Sequence, residues 1–116
     1  MNAVLQTALG KIIYSEDFLA VLAGMYTTDC YGIVGMTSKR ATDGLVELIK
    51  GENLKKGVKV YADGDRIRID LFVIVEYGVS VGTVASNVID TVTYNMQKMT
   101  GLTVGKVNVT VNGIRV

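Results

Sequence analysis

The sequence predicts an α+β fold, a small mixed sheet with two main helices packed on one face, in the order strand, helix, strand, short helix, hairpin, long helix, strand. Three observations carry this prediction. Asp63-Gly64-Asp65 separates two alternating apolar runs, the sequence signature of a hairpin. From Ser80 to Thr100 apolar residues recur with a helical period and stop at Gly101. The closing segment, Lys106 to Asn112, alternates valine with polar residues as a strand with one buried face does.

Taken in order, Gly10-Lys11-Ile12-Ile13-Tyr14 reads as a short strand, and Ser15 follows as a helix N-cap. Glu16 and Asp17 then sit in the first turn, where the helix dipole favours carboxylates. The helix is expected to run to about Asp29, with Phe18, Leu19, Leu22, Met25 and Tyr26 facing the core. Tyr31 to Met36 is a second strand and Thr37 to Arg40 a polar loop. Ala41 to Asn53 suggests a short helix, weakened by Gly44 and Gly51.

Val58 to Ala62 and Arg66 to Tyr77 form the hairpin. Alternation sends Ile67, Ile69, Leu71, Val73, Val75 and Tyr77 to one side of the long strand and Arg66, Arg68, Asp70, Phe72, Ile74 and Glu76 to the other. The first set is core and the second mostly wet. In the long helix Val81, Val84, Ala85, Val88, Ile89, Val92, Met96 and Met99 share the helical period. Many are β-branched, so that helix depends on tertiary packing more than on propensity.

A chain of 116 residues fits one domain, residues 1–116, able to bury a core without disulfide or structural metal. With 49% hydrophobic residues and a formal charge of +1, it reads as a folded globule prone to self-association. Twelve basic residues against 11 acidic ones leave no global bias toward nucleic acid or anionic membrane. One cysteine forms no internal disulfide, and no signal sequence or apolar span is visible, so the cytoplasm is the expected compartment. The absence of histidine removes the commonest general base and zinc ligand and every Ser-His or Cys-His nucleophile.

Gly10-Lys11-Ile12-Ile13-Tyr14-Ser15, Ala23-Gly24 and Gly32-Ile33-Val34-Gly35-Met36 together resemble the opening half of the alkaline-shock-protein family of Gram-positive bacteria. Ile69 to Gly78, Val84-Ala85, Met99-Thr100-Gly101-Leu102 and Val107-Asn108-Val109 extend the resemblance over nearly the whole chain in the right order. It implies a small cytoplasmic protein, often abundant, linked to envelope homeostasis and stress and without established enzymatic activity. Some family members reach the membrane through a separate anchoring protein, and some are encoded beside a kinase of the dihydroxyacetone or fatty-acid type. The family brings no catalytic residues, and its recurring glycines read as backbone-geometry positions.

Candidate sites are few. Cys30 falls near a helix C-terminus, where the dipole opposes a thiolate, and reads as a small buried side chain. Asp63 and Asp65 lack the further oxygens of a calcium loop and read as a turn. Gly78 to Gly82 precedes a helix but lacks the lysine and spacing of a phosphate loop. Gly32-Ile33-Val34-Gly35 has the spacing of a nucleic-acid-clamping GXXG loop, yet its central residues are apolar.

Lys50, Lys55, Lys56, Lys59, Arg66 and Arg68 gather around the hairpin, interspersed with Glu47, Glu52, Asp63, Asp65 and Asp70. Phe72 and Ile74 on the polar sheet side either seed a contact patch or lie under the short helix or a loop. The sequence leaves both readings open. It supports a non-catalytic interaction or scaffolding protein that uses no cofactor and no metal. That protein self-associates or binds a protein partner through Phe72, Ile74, Tyr61, Arg66 and Arg68, with any membrane association indirect. The alternatives are a nucleic-acid-binding module, against which the mixed charges argue, and a carrier of a small apolar ligand, for which no convergent polar group appears.

Overall fold

The computed structural model describes residues 2–38, 48–49 and 51–116. The Asp-Gly turn closes a hairpin between β5 (Val58–Asp63) and β6 (Arg66–Glu76), with Gly64 at φ 60, the left-handed region that glycine enters without strain. Their register runs from Asp63↔Arg66 to Val58↔Leu71. Where β5 ends, β3 (Ile33–Thr37) takes over the same edge of β6, pairing Ile33↔Val75 and Met36↔Val73. On the other edge β7 (Thr103–Arg115) runs parallel to β6 along its whole length. The long strand of the hairpin is therefore the centre of the sheet, and β4 (Leu48–Ile49) extends it beyond β3.

The parallel pair needs a crossover, which α2 (Val81–Thr100) supplies. It ends at Gly101, φ 78, whose N–H donates to the Gln97 carbonyl at 2.9 Å. The first helix, α1 (Glu16–Thr28), begins as its sequence dictates, with Ser15 Oγ accepting from the Phe18 N–H at 3.1 Å. Ile67, Ile69, Leu71, Val73 and Val75 share one buried cluster with Leu19, Ala20 and Ala23 of α1 and Val84, Val88, Val92 and Met96 of α2. Both helices thus lie on one face of the sheet, as the alternation of β6 requires. Each fully buried side chain of this kind contributes about 1.5–3 kcal/mol of transfer free energy.

Several expectations are corrected. A strand precedes the first one read from the sequence: β1 (Ala3–Thr7) pairs with β2 (Gly10–Tyr14) as a separate hairpin, tied to the body by Val4 N–H to Gly64 O at 2.9 Å and Tyr14 OH to Thr100 O at 2.8 Å. Phe18 and Met25 are exposed, because α1 buries the small stripe Ala20, Ala23 and Gly24. A Cβ at Gly24 would stand 3.1 Å from Leu54 Cβ, so close approach of the following segment selects small residues there. That segment, Gly51–Gly57, is a 3₁₀ turn and Leu48–Ile49 a strand, where a short helix was expected; the rest of that helix, 41–47 and Lys50, lies outside the described residues. Tyr77 and Met99, expected inward, are exposed: Tyr77 lies one residue past the end of β6, and in the last turn of α2 the inward positions are Met96 and Thr100.

Candidate functional site: the outer face of the sheet

With both helices on one side, the opposite face of β5, β6 and β7 carries the polar residues of the alternation. Tyr61 and Arg68 are register partners on β5 and β6, and the Arg68 guanidinium lies 4.0 Å from the Tyr61 ring centroid. Lys59 Nζ stands 5.5 Å from the same ring, so two cations frame one aromatic that is itself 43% exposed. Asp70 completes the row: it accepts from Asn108 Nδ2 at 2.9 Å and lies 3.8 Å from Arg68. At that distance and exposure the ion pair contributes at most about 1 kcal/mol.

Parallel pairing adds a residue that sequence reasoning missed. Lys106 on β7 is the register partner of Arg68, which puts it on the same face, and Arg66 reaches over β7 close enough that a Cβ on Gly105 would stand 3.2 Å from its Nη2. Nothing local in the sequence joins Lys106 to the hairpin; only the βαβ crossover does. The expected basic cluster is otherwise divided. Lys55 pairs with Asp17 at 3.4 Å beside α1, Lys56 is exposed, and Lys50 lies outside the described residues.

The structure separates Phe72 from Ile74. Phe72 is half-buried next to Thr110 of β7, whereas Ile74 is only 3% exposed, so it is not available as a surface contact. Ile74 stays outside the main core cluster, consistent with its place on the outer side. Asn112 Nδ2 on β7 donates to Ser38 O, just past β3, at 3.5 Å, a bridge between the two strands that flank β6 at this level. Ile74 is therefore covered, while 41–47 and Lys50 of the short helix expected to lie over it are outside the described residues. Of the five residues assigned to partner contact, Tyr61, Arg66, Arg68 and Phe72 remain together on an accessible or half-accessible face.

Cys30, expected as a small buried side chain, is half-buried. Burial pushes the Cys30 thiol up, a Thr91 hydrogen bond opposes this and Asp29 adds to it, and Cys30 Sγ donates to Tyr26 O at 3.4 Å. Gly64 and Asp65 turn the hairpin, with Asp65 O accepting from the Thr103 N–H at 2.8 Å. Among the described residues no three His, Cys, Asp or Glu side chains group as metal ligands do. Gly32 and Gly35 are buried at the start of β3; Gly32 has φ 86, and a Cβ there would meet Val84 Cγ2 at 2.6 Å, so its role is backbone geometry and close packing. Gly78, at φ 93, reverses the chain before α2.

Residues 4–116 match the sequence model of the alkaline shock protein 23 family, described by a cell envelope-related function. The chain is similar to the uncharacterized protein YloU of Bacillus subtilis, 44% identical over all of this chain and 98% of that one, and to the uncharacterized protein Spy1614 of Streptococcus pyogenes, 36% identical over all of this chain and 97% of that one. A stress response regulator gls24 homolog of Streptococcus pyogenes is 24% identical over 91% of this chain and 59% of that protein. No solved structure matches. Neither the family description nor these names carry an enzymatic activity. Among the described residues no helix is long and apolar enough to cross a membrane.

Proposed function

Because the chain belongs to the alkaline shock protein 23 family, whose function is cell envelope-related, we propose that it is a non-catalytic cytoplasmic binding module that docks an acidic protein surface on the outer face of its sheet. The supporting observation is the exposed Tyr61 framed by Lys59 and Arg68, with Arg66 and Lys106 beside it. The cations packed on the ring fix it in place with 43% of the residue still exposed, and the surrounding charges select carboxylates. Asp70 offsets part of this charge through Arg68, 3.8 Å away, and leaves Lys59, Arg66 and Lys106 to carry the rest.

A nucleic-acid partner fits this face less well. Arg68 already covers the Tyr61 ring at 4.0 Å, where a base would stack, and Asp63 and Asp70 interrupt the cations. The discriminating experiment compares wild type with a Tyr61→Ser, Arg68→Ser variant in quantitative capture of cytoplasmic partners, with circular dichroism as the control for folding. A protein partner at stoichiometric yield, lost in the folded variant, is the expected result. Retention of every partner by the variant overturns the proposal, and salt-sensitive RNA in place of protein establishes the nucleic-acid reading.

A further inference from the structure

We infer that the free edge of β7 is a homodimer interface, at which two copies join their sheets by antiparallel pairing about Val109. This inference is independent of the outer-face proposal. β7 is 13 residues long and pairs β6 on one side; no described strand pairs its other side. Its edge is occupied at the start, where the Val104 N–H donates to Gln97 Oε1 at 3.0 Å. From Val107 to Ile114 it then carries no charged residue, and the whole chain has no proline. Proteins usually protect such edges with charges or proline, so a long, neutral, β-branched edge is a surface built to be paired.

The occupant follows from the side chains. Val107, Val109 and Val111 point to the helix face, but Val109 and Val111, like Ile89 on α2, are only half-buried while packed against the core. Ile89, Thr93 and Gln97 lie one turn apart on α2, and Gln97 touches β7, so this stripe runs along the same edge. A bare strand would leave the stripe open, whereas a second copy brings its own α2 beside it. Opposite residues of an antiparallel pair share a face, so the register centred on Val109 sets Val107 against Val111 of the second copy and Val109 against Val109. It also sets Lys106 against Asn112 and Arg115 against Thr103, so neither cation of β7 meets its own kind. β7 spans the 11 residues of β6 and takes up its two extra residues in bulges at Gly105 and Asn112, so at ~3.3 Å per residue it is about 36 Å long. With the molecule's shortest dimension, 20 Å, the wall offers roughly 700 Å² per copy, within the range of a standard stable interface.

Sedimentation equilibrium of the full chain, up to about 100 µM so that even micromolar association registers, tests this. Wild type should be dimeric. Asn108 and Thr110 are exposed on the outer face and oppose each other across the twofold axis. An Asn108→Lys, Thr110→Lys variant should therefore stay folded by circular dichroism yet dimerise at least about tenfold more weakly, because like charges lie directly opposite. Mixing it with an Asn108→Glu, Thr110→Glu variant should restore a heterodimer. A monomeric wild type, or a lysine variant that dimerises like wild type, overturns the inference. Tyr61→Ser, Arg68→Ser should leave the dimer intact, so loss of partner capture and loss of self-pairing are read separately.

Discussion

The two halves of β6 differ on their outer face although the sequence alternates through both. In the first half Arg66, Arg68 and Asp70 stand in a wet row among other surface groups: Arg68 lies on Tyr61, Asp70 accepts from Asn108, and Arg66 occupies the space a side chain at Gly105 would need. In the second half Phe72 is half-buried and Ile74 is covered, beneath the level at which Asn112 and Ser38 join across the strand. Alternation decides which face a side chain occupies. It does not decide whether that face meets water, because burial depends on groups distant in sequence. Binding residues are therefore to be sought in the first half, and stability in the second.

The largest effect that tests this division is on the inner face, where both halves are alike. Leu71→Asp places a carboxylate among fully buried side chains of both helices and should cost at least about 4 kcal/mol, the scale of an unpaired buried charge. The expected outcome is a chain that fails to give a cooperative thermal transition. A variant that melts normally would mean the cluster around β6 is not the core.

Next comes the contrast between neighbours on the outer face. Ile74→Lys should destabilise by about 2–4 kcal/mol, since a covered apolar side chain is replaced by a charge. Phe72→Lys should cost no more than about 1 kcal/mol, because the half-exposed lysine stem lies along the surface with its ammonium in water. Melting temperatures separate the two, at roughly 4–8 °C per kcal/mol for a domain near this size. Equal shifts would erase the distinction between the halves. The smallest effect belongs to the wet row: Arg68→Ala should change stability by within about 0.5 kcal/mol, while acting on partner capture as the outer-face proposal requires.

Legibility varied in the same way across the fold. The Asp-Gly hairpin, the Ser15 cap, the Gly101 stop and the inward set Ile67 to Val75 depend on residues within one or two turns of each other, and all stand where the sequence puts them. Phe18 and Met25 fit a helical period as well as Leu19 does, yet the structure exposes them. The buried stripe of α1 packs on β6 and α2 and is closed over Gly24 by Leu54, contacts no local pattern encodes. Of the candidate contact residues, Tyr61, Arg66 and Arg68 were legible because the hairpin register is local, and Lys106 was not because parallel pairing is set by the α2 crossover.

The sequence by itself determined the α+β class, the caps and turns, the face of each β6 side chain, and the lack of any histidine-based chemistry. Each follows from periodicity, from backbone preferences of single residues, or from composition, all properties of short stretches of chain. Only the tertiary structure decided that β6 is central, that β7 lies parallel with its other edge unpaired by any described strand, that Ile74 is covered, and that Lys106 joins the Tyr61 cluster. These depend on which segments far apart in the chain come together, and that is settled by packing the sheet against both helices at once, a choice made by the whole core rather than by any one element.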